Sequence, residues 1–199
     1  MSEKSTNKYA IVDLEATSAS STACIIQVGI VIMQNGRVID EFASDVNPHQ
    51  KLDNHIVHLT GITDQQLSQA PDFSEIARTI FELIEDCIFV AHNVKFDANL
   101  LAEALFMEGF ELRTPRVDTV ELAQVFYPTL EQYNLSYLSR VLNLDLAQAH
   151  TAIEDARATG KLLLHLMDKI ASLPRQTIEM LLTFSDNLLF ESELVIRDA

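Results

Sequence analysis

Apolar and polar positions change their rhythm along the 199 residues, and the change divides the chain into two regimes. Residues 9–17, YAIVDLEAT, read as a first strand. Residues 24–33, CIIQVGIVIM, read as a second, joined to a third at 37–46 across Gln34-Asn35-Gly36, where Asn-Gly is a strong hairpin signal. The chain therefore opens as an antiparallel meander. After Pro48 the pattern becomes helical. Ile62-Thr63-Asp64-Gln65-Gln66 carries a capping-box pattern, and Asp72-Phe73-Ser74-Glu75 starts an amphipathic run to about Glu85. Residues 87–91, CIFVA, are wholly apolar, which suits a short central strand buried on both faces.

Beyond that strand, Asn93 is placed to cap a helix running to Met107 and stopping near Gly109, with Phe96, Leu100 and Ala104 on its apolar stripe. Arg116-Val117-Asp118 predicts a last short strand, followed by helices around 119–126, 135–142 and 152–171. Leu162 to Leu166 read as core, and Pro174 closes the last of these helices. Residues 175–199 predict an extra helix and an acidic tail. Strands first, then strands alternating with helices, make this an α/β chain with a mixed sheet covered by helices.

Composition narrows the picture. The length and 48% hydrophobic content fit one folded domain with a sizeable core. No run approaches the ~18 apolar residues of a membrane span, and MSEKSTNK is polar, so the expectation is a soluble cytoplasmic protein without membrane contact. Cys24 and Cys87 lack metal or CxxC spacing and read as two reduced core thiols. A formal charge of −15, from 14 basic and 29 acidic residues, argues against a protein that coats duplex nucleic acid. It does not exclude an enzyme whose bound divalent metals screen the phosphates of its substrate.

Three places hold candidate chemistry. In an extended AIVDLEATS, Asp13 and Glu15 point to the same side, roughly 6.5 Å apart from a rise of about 3.3 Å per residue. Like charges so placed on a buried sheet need a cation or water. In His92-Asn93-Val94-Lys95-Phe96-Asp97, Asp97 falls in the first helical turn, where the macrodipole favours it. The same position lies at the sheet's carboxyl edge, where α/β folds carry chemistry. In His150-Thr151-Ala152-Ile153-Glu154-Asp155, Thr151 and Glu154 fit a capping box, making His150 N′ and Asp155 N4, two positions that touch. A polar pair there is a poor choice for stability alone and points to function. Four carboxylates and one imidazole, with no thiolate, suit magnesium or manganese better than zinc, and four negative charges match two divalent ions. Such metals clamp the attacking and leaving oxygens of a phosphodiester while a histidine takes the water's proton. Taken singly, each motif has a plainer reading as a solvated strand end or a helix-capping charge.

At these residues the sequence resembles the DEDD exonucleases of the DnaQ-like type, in their branch with a histidine in the third motif. Asp13-Leu14-Glu15, His92-x4-Asp97 and His150-x4-Asp155 follow the family's order and spacing, supported by Leu59-Thr60-Gly61-Ile62-Thr63 and Val117-Asp118-Thr119 over residues 9–170. The resemblance implies a ribonuclease H-like fold, a mixed five-stranded sheet flanked by helices. It implies 3′→5′ hydrolysis of single-stranded DNA or RNA 3′ ends, releasing nucleoside monophosphates with two divalent cations, Mg2+ or Mn2+. Asp13, Glu15, Asp97 and Asp155 look like metal ligands, His150 like the general base, and Leu14, Thr17 and Leu59 like contacts to the terminal nucleotide. Ala16 and Ser18 depart from the family's usual Glu-Thr-Thr-Gly, which affects the sugar edge and not the metals.

Within the family the chain is most similar to the nuclease domain of Gram-positive DinG-type helicase-nucleases, and next to polymerase proofreading domains. That implies a disordered segment at 1–8, a nuclease domain at 9–172, and at 173–199 an extra helix leading towards a linked helicase part, or else a polymerase partner. Two alternatives stay open: an RNA or oligoribonucleotide substrate, and an idle module that binds a replication or repair partner. Of the remaining motifs, His92 reads as structural and Asp118 as a buried or capping acid. His55 and His58 read as part of an exposed helix, and Tyr133 and Tyr137 as core residues with some capacity to stack on bases.

Overall fold

Asn35 and Gly36 take φ values of 51° and 71°, the left-handed pair that a two-residue hairpin between right-twisted strands requires. They join β2 (Ile25–Gln34) to β3 (Arg37–Asp45), and β2 pairs antiparallel with β1 (Lys8–Ala16). The computed structural model describes residues 7–20, 22–144, 151–184, 188 and 190–199. In it β4 (Ile88–Ala91) adds parallel to β1, and β5 (Arg116–Asp118) adds parallel to β4. The result is a five-stranded mixed sheet of order β3-β2-β1-β4-β5, with β1 at its centre.

β1 explains both layers. Ala10, Val12 and Leu14 point into one apolar layer with Ala77, Ile80 and Ile84 of α3 (Phe73–Ile84) and with Ala98, Leu101 and Leu105 of α4 (Val94–Met107). Tyr9 and Ile11 point the other way, under α5 (Thr119–Phe126), α6 (Leu135–Val141) and α7 (Ala152–Ala171). By the two-residue period, Asp13 and Glu15 continue the Ile11 side, which α7 covers. The strand's register against β2 shifts between Glu15 and Ala16, at the end of the pairing. A smaller cluster of Ile26, Leu52, Ile62 and Leu67 seats α1 (Asn54–Thr60) and α2 (Asp64–Leu67) beside the start of β2.

Three expectations needed correcting. The buried stripe of α4 is Val94, Asp97, Ala98, Leu101 and Leu105, while Phe96, Leu100 and Ala104 lie at its half-buried margin. The stripe was masked because a carboxylate occupies one of its inward positions. Asn93 does not cap α4 with its side chain; it adopts φ 77°. The capping falls to Asp118, whose carboxylate accepts from the N–H groups of Asn93 (3.1 Å), Val94 (3.3 Å) and Val120 (2.8 Å), so one acid caps two helices.

The last correction concerns the segment after Pro174, which forms α8 (Arg175–Thr183) and then a docked helix, α9 (Glu193–Asp198). Val195 and Ile196 are buried in the second layer. Glu191 exchanges hydrogen bonds with the backbone of Arg116, and Asn7 and Tyr9 both donate to the Asp198 carboxylate. No described helix is long and apolar enough to cross a membrane.

Candidate active site

The position of α7 over the sheet is set by a missing side chain. Gly29 stands opposite Asp13 in the β1–β2 register, and a Cβ on it would lie 2.2 Å from the carbonyl carbon of Ala152 and 2.3 Å from the nitrogen of Ile153. The first turn of α7 therefore rides directly on the β2 backbone. Its start is capped by Thr151, whose hydroxyl accepts from Glu154 N–H, as the sequence pattern predicts. Glu154's carboxylate turns instead to Arg157, which also binds Glu41 of β3.

This seating brings Asp155 to β1. Oxygens of Asp13, Glu15 and Asp155 lie within 4.8 Å of one another, all three residues half-buried. Asp97, 6% exposed, reaches the same strand from the other layer, and one of its oxygens accepts the Leu14 N–H at 3.0 Å. Burial pushes the Asp13 carboxyl well above the ordinary carboxylate range, and the charges of Asp97, Asp155 and Glu15 push it further. Asp97 is likewise pushed up to about 7 by burial and by Glu15 and Asp118, against the lowering pull of its backbone donors. Hard oxygen donors crowded at this cost are a chemical fit for a divalent cation, whose charge would reverse both effects.

The other expected site residues are spread around this centre. Leu14's side chain is in the apolar layer, so its N–H and not its side chain faces Asp97. Thr17's hydroxyl accepts from Cys24 N–H at 3.0 Å and from the Gln50 amide at 3.4 Å. Leu59, at the end of α1, is 62% exposed, an apolar side chain offered to solvent just before the left-handed Gly61. His150 lies outside the described residues. His92 is structural: Nε2 donates to the Tyr133 carbonyl at 2.7 Å and Nδ1 meets the Thr119 hydroxyl at 2.8 Å. Burial holds its pKa below the ordinary value. His55 and His58 are exposed on α1, while Tyr133 packs in the second layer and donates to Tyr127.

Gly29 and Gln27 escaped the sequence reading, although a glycine inside an otherwise apolar strand is a recognised sign of close backbone approach. Gln27 carries no comparable signal.

A family model described as Exonuclease matches residues 10–163. The chain belongs to the exonuclease family. Membership brings with it the use of divalent metal and the hydrolase class of metal-dependent exonucleases, and the three-carboxylate cluster is a group that could hold such an ion. The 3′-5′ exonuclease DinG of Staphylococcus aureus (strain USA300) is 38% identical over 185 residues, covering 92% of this chain and 21% of that protein. The chain thus spans about a fifth of the length of the curated relatives it matches.

Among solved structures, the nuclease domain of 3′hExo, a DEDDh family member bound to rAMP, superposes with a TM-score of 0.72 at 16% identity. The match covers 87% of this chain and 98% of that one. Exonuclease X, in complex with 5′ overhanging duplex DNA, gives 0.67 at 19% identity over 83% and 94%. The fold is the ribonuclease H-like fold of the DEDDh exonucleases.

Proposed function

We propose that this exonuclease-family chain hydrolyses phosphodiester bonds at the 3′ end of single-stranded DNA, releasing nucleoside 5′-monophosphates. The observation that carries the reading is the convergence of Asp13, Glu15 and Asp155 within 4.8 Å, with buried Asp97 beside them. The 3′→5′ polarity is supported by the name of the Staphylococcus aureus relative. Asp13, Glu15, Asp97 and Asp155 are proposed to hold two divalent cations, Mg2+ or Mn2+, since all four offer hard oxygens and the described cluster is built of carboxylates alone. When bound, such ions polarise the scissile phosphate and lower the pKa of the attacking water.

The chain's own residues supply the rest. His150, immediately before the α7 cap Thr151, is proposed to take the water's proton. Leu59 presents an apolar surface for the terminal base, Thr17 a hydroxyl oriented by Cys24, and Leu14 the strand backbone at the sugar edge. The relatives' greater length supports a further linked part, which we propose to be a helicase.

The test is manganese-dependent release of mononucleotides from 3′-labelled single-stranded DNA and the matching RNA, with Asp155→Ala as control. We expect release from DNA to exceed release from RNA and to vanish in the variant. Equal rates in parent and variant would overturn the reading. Metal binding with no release from either strand would mark an idle module, and faster RNA release would change the substrate.

His150 gives a separate prediction. Because only a neutral imidazole accepts a proton, kcat should rise between about pH 6 and 8 and then plateau. His150→Gln should flatten that limb and lower kcat by about 10²–10⁴-fold. A parent profile flat from pH 5 to 9 removes His150 from the base role.

A further inference from the structure

Gln27 stands between two acids. In the β1–β2 register it lies opposite Glu15, and in the β2–β3 register opposite Asp45. Its amide group serves both sides, as only a side chain with an acceptor and donors on one carbon can. The Oε1 accepts the N–H of Ala152 at 2.8 Å, and the Nε2 donates to Asp45 Oδ1 at 2.7 Å. Ala152 is the first residue of α7, so this N–H is one of those an α-helix leaves without an internal partner. Asp45 continues the chain: its other oxygen, Oδ2, accepts from Gln66 Nε2 of α2 at 2.7 Å.

We infer that Gln27, Asp45 and Gln66 are positioning residues that hold the two working halves of the site in register. The inference rests on the exonuclease reading and deepens it. On one side is the start of α7, which brings Asp155 against Asp13 and Glu15 three residues after Ala152. On the other is the α1–α2 unit, which carries Leu59 and sits on the small cluster around Ile26 and Ile62. Asp45, at the last position of β3, gives one oxygen to each half.

Gly29 lets α7 come down onto the sheet until the contact is backbone to backbone. It does not prevent the helix from sliding along it. The directional bond from Gln27 to Ala152 fixes the helix against that movement, and with it the spacing of Asp155 from the β1 carboxylates. The bond from Asp45 to Gln66 does the same for α2, and hence for the surface that receives the nucleotide.

The division of labour makes a kinetic signature that a merely structural role would not produce. Gln27→Met keeps the length and volume and removes the bond to Ala152 of α7 together with the bond to Asp45. It should lower kcat and weaken Mn2+ binding, read by calorimetry, each by about 10-fold or more, with KM within about two-fold. Gln66→Met loosens only α2, and should raise KM several-fold while kcat and Mn2+ affinity stay within about two-fold. Asp45→Leu, which removes both acceptor oxygens at similar volume, should move both parameters, and its effect should not multiply with that of Gln27→Met, since the two residues share a bond.

All variants are measured on the whole chain, with melting temperature recorded. If Gln27→Met fails to fold, Asp45→Leu decides, because it keeps the shape, removes both acceptor oxygens and so shifts both kcat and KM. Gln27→Met and Gln66→Met acting on the same parameter, or neither moving any, would overturn the inference. An inactive parent overturns the exonuclease reading instead. In that case the Mn2+ affinities of parent and Gln27→Met still judge this one.

Discussion

Asp13→Asn is expected to lose mononucleotide release by on the order of 10³-fold or more, the scale on which preorganised charge contributes to catalysis. The same protein, stripped of metal, is expected to melt at a higher temperature than its parent. Both follow from the crowding at β1. Asp13 is held far above the carboxylate range by burial and by Asp97, Asp155 and Glu15, so its ionisation works against the folded state.

The sign is fixed by Asp97, whose carboxyl is raised from 3.8 to about 7. A carboxyl with a raised folded pKa stabilises the fold fully below about pH 4. That contribution is lost as pH climbs towards 7, amounting to on the order of 4 kcal/mol above it. Metal-free parent should therefore lose stability across pH 4–7, and saturating Mn2+ should restore it, most strongly at the upper end. At pH 8 without metal, Asp13→Asn should melt about 5 °C or more above the parent, at roughly 2–4 °C per kcal/mol for a chain of this size. Its response to Mn2+ should be small. Thermal melts with chelator and with Mn2+ at several pH values check this. An Asp13→Asn protein that melts lower than the metal-free parent at pH 8 would show that the carboxylates are not in conflict.

Gly29→Ala should be nearly as damaging, through geometry alone. Its Cβ would meet three backbone atoms of Ala152 and Ile153 at 2.2 to 2.4 Å, and backbone cannot rotate away as a side-chain tip can. The first turn of α7 must lift, taking Asp155 with it. A displacement of about 1 Å at a reacting site costs about 10²-fold in rate, and overpacking of this kind costs about 1–3 kcal/mol in stability. Comparison of kcat and chemical denaturation for Gly29→Ala against Gly36→Ala separates close approach from ordinary glycine strain. Gly36 needs its positive φ, but the nearest atom to a Cβ there is a Leu164 methyl at 3.8 Å. Loss of stability without loss of rate at Gly29 would mean that α7 is not seated as described.

The parts of this molecule that could be read from sequence are those whose signals are local. The Asn35-Gly36 hairpin, the Asp72 capping box, the Thr151 cap and the apolar CIFVA strand each announce themselves within a few residues. Asp13 and Glu15 were legible because a strand's alternation puts them together, and Asp97 and Asp155 because they follow helix starts. The residues that hold those pieces to one another were not. Gln27 looks like any half-exposed strand glutamine until Ala152, 125 positions away, donates to it. Asp118 looks like the cap of its own helix, and only the fold adds the two amides at the start of α4. The docked α9 was hidden for a similar reason: six residues with Val195 and Ile196 among charges give no helical stripe long enough to notice.

The alternation along β1 has a consequence for anyone who selects variants of this chain. Within Lys8–Ala16, odd positions from Asp13 hold the carboxylates Asp13 and Glu15, and the even positions Ala10, Val12 and Leu14 fill the layer under α3 and α4. Neighbouring codons therefore answer to different selections. Val12→Asp and Leu14→Asp would disappear from a screen that reads soluble yield, whereas Asp13→Asn and Glu15→Gln would pass it and disappear only from one that reads turnover. A single-codon deletion upstream, by moving every side chain to the opposite face, would fail both.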